Sequence, residues 1–123
     1  MRTDLALKKS NANHIDYGFL NGLLPRGILP SNLDGIIVLD KATLYLEWKR
    51  PGEKVSTGQK RALITLAKEE RNTVLIVYGE SHPDKFYVMK IFKINPKTEK
   101  ADEIGYGVNK LKQILILWSW ENC

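Results

Sequence analysis

The feature that most constrains the fold is an almost unbroken apolar run at positions 73–78, Thr-Val-Leu-Ile-Val-Tyr. A short run of this kind, rich in β-branched residues, is typical of a strand that is buried on both faces of its sheet. The segment before it begins with Ser56-Thr57-Gly58-Gln59 and ends near Glu70 to Asn72. It predicts a helix, because its apolar residues recur at helical spacing on one face: Ala62, Leu63, Leu66 and Ala67.

Two shorter runs upstream, 33–39 and 43–49, predict a β-hairpin. Both are rich in β-branched and aromatic residues, and the turn-prone Asp40-Lys41-Ala42 separates them. Pro51 and Gly52 break the second strand. The order of strand, helix and strand then predicts a crossover connection and a sheet that is partly parallel.

Three further segments complete the expected organisation. A short helix is predicted from Asn13 to Leu24, ended by Pro25, and a strand from Phe86 to Ile94, after a loop at 81–84. The segment from Asn109 to Trp120 fits a helix, although its apolar part could also be a buried strand. We expect one α/β domain over 1–123, a mixed β-sheet flanked by helices, with a flexible N-terminal arm at 1–12 that includes Lys8 and Lys9.

The charge balance favours a polyanionic partner such as nucleic acid. The 19 basic and 14 acidic residues give a net charge of +5 and a pI near 9.3. A solvated basic surface accounts for that charge equally well. Cys123 is the only cysteine, which argues against a disulfide framework or cysteine-based zinc site within one chain and favours a reducing cytoplasm. We expect no secretion, because residues 1–9 lack an apolar core, and no membrane insertion, because the longest apolar run, Ile114–Trp118, is far too short to span a bilayer. The small size would suit a phage or mobile element.

The alternation of the second strand places two charged side chains on one face. Glu47 and Lys49 share a face, and the opposite face carries apolar side chains. If Leu39 pairs with Leu44 across an even-length turn, Asp34 lies opposite Lys49 and the three polar groups converge. A slip of one residue would separate them, so the expectation requires a turn of two or four residues.

Two carboxylates held this close repel each other, and a hard divalent cation such as Mg²⁺ or Mn²⁺ relieves that repulsion. Asp34 and Glu47 are therefore the expected metal ligands, with the backbone carbonyl of Trp48 as a further ligand. Such an ion would stabilise charge on a phosphoryl group and acidify a bound water. Lys49 would position or deprotonate that water and neutralise the phosphate.

The strings Leu33-Asp34-Gly35 and Leu46-Glu47-Trp48-Lys49 resemble the D…ExK signature of the PD-(D/E)XK nuclease superfamily. Leu33 stands where that family usually has proline. Gln59 at the helix start resembles the glutamine of the VRR-NUC, Holliday-junction-resolvase and RecB-like branches, and Leu63 stands about where RecB-like enzymes carry an aromatic residue. Over about 31–78 the resemblance implies a restriction-endonuclease-like fold, metal-dependent nuclease activity and a catalytic role for Gln59.

Each of these residues also has an ordinary structural interpretation. An alternating strand often exposes Glu and Lys on its solvated face, and Ser56-x-x-Gln59 is a capping box in which the glutamine serves only the helix start. Trp118 is expected in the core, whereas the sequence does not decide whether Trp120 stacks on bases, packs a dimer or lies in the core. His14 and His82 do not have the spacing of zinc ligands. Basic residues that flank the expected site could bind DNA phosphates or be merely solvated: Arg50, Lys54, Lys60 and Arg61.

The sequence therefore predicts a metal-dependent DNA endonuclease or nickase that acts as a homodimer, because so small a domain has little surface with which to grip a duplex. A structure-specific junction resolvase is the nearest alternative. A non-catalytic DNA-binding module is a second, and a factor that binds a protein through Trp120 is a third. No phosphate-binding loop motif is present, so no nucleotide cofactor is expected.

Overall fold

The computed structural model describes residues 16–27, 30 and 32–123, which fall into two units divided between Asn32 and Leu33. In the first unit, short 3₁₀ helices span Tyr17–Leu20 and Pro25–Gly27. The α-helix predicted over 13–24 is wrong from residue 16 onward. Gly22 has a φ of 80°, which takes the chain out of the helical region. The predicted arm at 1–12 and His14 lie outside the described residues.

The second unit contains a five-stranded sheet and two helices. Its elements in chain order are β1 (Gly35–Val38), β2 (Thr43–Lys49), α1 (Thr57–Ala67), β3 (Asn72–His82), β4 (Lys85–Asn95), β5 (Lys100–Gly105) and α2 (Val108–Asn122). The spatial order of the strands is the same as their order in the chain. β2 and β3 are parallel and joined through α1, whereas the other neighbouring pairs are antiparallel. The predicted α/β class, hairpin and crossover are confirmed.

The sheet has an apolar cluster on each face. The α1 cluster joins Leu63 and Ala67 of α1 to Val74 and Ile76 of β3. The α2 cluster consists of residues from the strands and α2, among them Leu44, Leu75, Val77, Ile91, Leu111 and Trp118. β3 therefore buries side chains on both faces, as its apolar run predicts, and Trp118 lies in the core.

The differences from the predicted elements concern polar segments. β3 and β4 pair as far as His82 and Lys85, so only Pro83 and Asp84 remain of the loop predicted at 81–84. The edge strand β5 was not predicted, because its mainly polar, exposed residues show no apolar alternation. The helical alternative for the last segment is confirmed by α2. Neither helix of the described part is long and apolar enough to cross a membrane.

Candidate functional site

The hairpin register brings Asp34 to the face that carries Glu47 and Lys49. Val38 pairs with Thr43 and Gly35 with Leu46, across a connection of four residues, 39–42. Asp34 immediately precedes Gly35 in the chain, and its backbone N–H donates to the Leu46 carbonyl at 3.2 Å. The negative charge of Asp34 contributes to raising the pKa of Glu47, so the two carboxylates lie near each other. The even-length connection is confirmed, and the polar groups share one face.

The predicted pairing of Leu39 with Leu44, and of Asp34 with Lys49, is wrong by two residues. The turn is tighter than expected, because the Leu39 N–H donates to the Ala42 carbonyl at 2.9 Å. The guanidinium of Arg71, distant in sequence, also donates to the carbonyls of Asp40 and Lys41, at 2.6 and 2.9 Å. A two-residue shift preserves the face of every side chain, so the site survives it.

Asp34 is fastened to the backbone of β2. Its Oδ2 accepts a hydrogen bond from the Trp48 N–H at 2.7 Å. In an antiparallel ladder the N–H and C=O of one residue point toward the same neighbouring strand. The Trp48 carbonyl is therefore directed to the side on which the Asp34 carboxylate lies, as a shared ligand set would require.

Glu47 is a buried carboxylate with a partly satisfied hydrogen-bonding capacity. Only 1% of the residue is exposed. Its Oε2 accepts a 2.6 Å hydrogen bond from the Gln59 Nε2 and lies 3.6 Å from the Lys49 Nζ. Its Oε1 is buried and has no hydrogen-bond partner among the described residues. An unpaired buried carboxylate oxygen is costly in a folded protein and marks a position where a ligand would be stabilising.

The environment raises the pKa of Glu47 from 4.5 to about 7. Burial is the largest cause, and the negative charge of Asp34 adds to it. Lys49 and the hydrogen bond from Gln59 act in the opposite direction. A further cation beside Glu47 would favour its charged form, which is what a metal ligand requires.

The Gln59 side chain binds Glu47 and not the backbone at the start of α1. The Ser56 hydroxyl accepts from the Gln59 backbone N–H at 3.2 Å, so Ser56 is the N-cap of α1. The Gln59 side chain does not turn back to the cap, because it donates to Glu47. The capping box is thus half formed, and the helix cap lies beside the site.

Lys49 lies between two carboxylates. It is 8% exposed, and its Nζ is 3.6 Å from Glu47 Oε2 and 3.8 Å from Glu53 Oε2. Glu53 also accepts a 2.9 Å hydrogen bond from the Arg50 N–H, which fixes it at the end of β2. Glu53 is not among the site residues that the sequence predicts. The available signal was its position four residues after Lys49, just beyond the break at Pro51 and Gly52.

Three of the four flanking cations line a cavity or a depression of the surface. Lys54 and Lys60 line a cavity of about 380 Å³ that Glu53 also lines, so it adjoins Lys49. The cavity walls are largely apolar and include Leu63, Ile76, Tyr78, Phe92 and Ile94. Arg61 lines a separate depression together with Lys60 and Lys68, and Arg50 is exposed at the end of β2. All four flanking cations are exposed.

Within residues 16–27, 30 and 32–123, no three His, Cys, Asp or Glu side chains are grouped so as to hold a metal ion. The site offers two carboxylates, Asp34 and Glu47, and the Trp48 carbonyl. His82 lies 3.8 Å from Glu80, and Trp120 is 77% exposed on α2.

Comparison of the chain with protein-family models, with curated proteins and with solved structures gives no match in any of the three. The geometry of the site is therefore the main source of information about function.

Proposed function

We propose that the chain is a divalent-cation-dependent nuclease that hydrolyses DNA phosphodiester bonds, built on a sheet of the restriction-endonuclease type. One observation supports this most strongly. The buried Glu47 has one carboxylate oxygen without a partner among the described residues, shares a face of β2 with Lys49, and lies near the Asp34 carboxylate. Burying such a group costs folding free energy, so its presence favours a role outside stability.

The donor set fits a hard cation. Asp34 and Glu47 supply carboxylate oxygens and Trp48 supplies a carbonyl oxygen, the ligand types that Mg²⁺ and Mn²⁺ prefer. The buried Glu47 Oε1 is the specific sign of the fit, because it lacks a partner among the described residues. When bound, the ion would stabilise negative charge on the phosphoryl oxygens and acidify a water molecule.

The other residues have distinct tasks in this proposal. The Lys49 ammonium, held by Glu47 and Glu53, orients the attacking water and neutralises charge on the phosphate. Gln59 holds the Glu47 carboxylate in one orientation through its 2.6 Å hydrogen bond. Exposed cations bind phosphates on either side of the scissile bond: Arg50, Lys54, Lys60 and Arg61.

Cleavage of supercoiled plasmid tests the proposal. The purified chain is incubated with Mg²⁺, Mn²⁺ or EDTA, beside Asp34→Ala, Glu47→Ala and Lys49→Ala. Lys90→Ala and Glu103→Ala are matched controls, because this lysine–glutamate pair is separated by 3.8 Å and both side chains are about half exposed. We expect metal-dependent cleavage by the wild type and both controls, and none by the three site variants. Activity in all three site variants, or full activity in EDTA, would contradict the assignment.

Two further measurements separate the related functions. Metal binding should raise the melting temperature of the wild type, and Asp34→Ala or Glu47→Ala should remove that increase. A junction resolvase would cut branched DNA in preference to linear DNA of the same sequence. A non-catalytic DNA-binding module would cut nothing with any metal and would bind DNA more tightly after Asp34→Ala, because that change removes negative charge next to phosphate.

A further inference from the structure

Helix α2 has apolar side chains on two opposite faces. One face packs against the sheet through residues that include Leu111 and Trp118. Away from the sheet, Ile116, Leu117 and Trp120 are exposed by 54, 55 and 77%. These three residues follow the i, i+1, i+4 spacing that places side chains along one side of a helix. We call them the outer stripe.

The charges at the two ends of α2 oppose its dipole. Lys110 lies in the first turn and Glu121 in the last, whereas the first turn has no acidic residue and the last has no basic one. The N-cap, Gly107, provides no side-chain hydrogen bond. A cation near a helix N-terminus and an anion near its C-terminus are each unfavourable in an isolated helix.

The two charges lie in one row beside the outer stripe. Lys110 and Glu121 are separated by eleven positions, which is about three turns of a helix, so they point in nearly the same direction. The Lys110 Nζ is 3.3 Å from the Gln113 Oε1, which places the ammonium along the helix toward the stripe. One flank of the outer stripe thus has a positive end and a negative end.

We propose that a second copy of this chain docks on the outer stripe, with the two α2 helices antiparallel about a two-fold axis. Such an axis places the same flank of each helix side by side in opposite directions. Lys110 then meets Glu121 of the partner subunit, and this pair forms twice. Six large apolar side chains are removed from water, three from each copy.

The positions of Lys110 and Glu121 favour a second copy of this chain in the antiparallel arrangement. In the antiparallel arrangement the N-terminus of each α2 lies near the C-terminus of the other, so each misplaced charge gains both an opposite charge and a favourable dipole end. A parallel pair would instead place Lys110 beside the partner's Lys110, which is repulsive. A nucleic acid is a poor occupant, because the surface is apolar and includes the acidic Glu121.

Sedimentation of the full chain over a range of concentrations tests the surface. The wild type should form a dimer, and Trp120→Glu should raise its dissociation constant by at least about tenfold, because a large exposed aromatic is the expected anchor of the interface. Val38→Glu is the matched control, since Val38 is 71% exposed on β1, and it should leave the dimer unchanged. A wild type that is monomeric at every concentration, or a Trp120→Glu dimer of unaltered strength, overturns the proposal.

Charge reversal tests the antiparallel arrangement. Lys110→Glu and Glu121→Lys should each weaken the dimer, and the double variant should restore it. An equimolar mixture of the two single variants should also associate, because every pair in that heterodimer joins opposite charges. Loss of the dimer in the double variant, or no association in the mixture, would overturn the antiparallel pairing. Circular dichroism of each variant checks that α2 remains folded.

Discussion

Both faces of β2 contain buried side chains, but these side chains differ chemically. On the α2 side, Leu44 is completely buried and belongs to the large apolar cluster. On the α1 side, Glu47 is 1% exposed and Lys49 is 8% exposed. Burial stabilises the leucine through the hydrophobic effect, whereas it penalises the charged form of the glutamate and raises its pKa. Similar depths of burial thus have opposite energetic consequences for the two kinds of side chain.

The largest expected effect is on catalysis, and we expect it only from substitutions on the α1 side of β2. Glu47→Gln keeps the size of the side chain but removes a metal-binding charge, so it should lower the plasmid cleavage rate at least about 10³-fold. Leu46→Met on the opposite face conserves volume and should leave the rate nearly unchanged. Initial rates with Mg²⁺ measure both. Equal losses of cleavage rate in the two variants would mean that catalysis does not depend specifically on the α1 side of β2.

The next largest effect is on the free energy of unfolding, and we expect it from substitutions on the α2 side of β2. Leu44→Ala should lower the free energy of unfolding by about 2–5 kcal/mol, because it leaves a cavity in a fully packed cluster. Val38→Ala, at an exposed position of β1, should change it by less than about 0.5 kcal/mol. Urea unfolding followed by circular dichroism gives both values. A small effect of Leu44→Ala would contradict its place in the core.

Glu47→Gln should also stabilise the metal-free protein in a pH-dependent manner. The folded wild type keeps the Glu47 proton up to about pH 7, whereas the unfolded chain loses it near pH 4.5. The wild type therefore loses stability as the pH rises through this window, and the glutamine variant does not. The advantage of the variant should be absent below pH 4.5 and reach about 3 kcal/mol above pH 7.

Urea unfolding in EDTA at the two ends of that window measures this difference. Parallel pH profiles for the wild type and Glu47→Gln would show that the carboxylate is not destabilised by burial.

The smallest expected effects distinguish the role of Gln59 in the site from the role of Ser56 as the cap of α1. Gln59→Leu removes the donor to Glu47 and should lower cleavage about 10- to 100-fold. Ser56→Ala removes the N-cap acceptor and should cost about 1 kcal/mol of stability while the folded protein still cleaves. Cleavage rates and urea unfolding of both variants test whether Gln59 acts in cleavage and Ser56 in stability. If Ser56→Ala reduced cleavage as much as Gln59→Leu, Gln59 would act only through the helix start.

The local patterns that predict the fold correctly are those with a direct physical cause in neighbouring residues. The period of two in β2 places Glu47 and Lys49 on one face wherever the strand lies, and the apolar run of β3 requires cover on both faces. Ser56 caps α1 because its hydroxyl can reach the Gln59 N–H three residues later. Polar β5 has no such pattern, since it is an edge strand held by pairing to β4 alone.

By itself, the sequence predicted Asp34, Glu47, Lys49 and Gln59 as candidate site residues, the common face of Glu47 and Lys49, and the crossover through α1. Only the tertiary structure decided that the hairpin register lies two residues from the predicted one, that Gln59 binds Glu47 rather than its own cap, and that Glu53 lies 3.8 Å from Lys49. The reason is physical. Alternation and capping act between residues close in the chain, whereas register, burial and the raised pKa of Glu47 depend on groups brought together from distant segments.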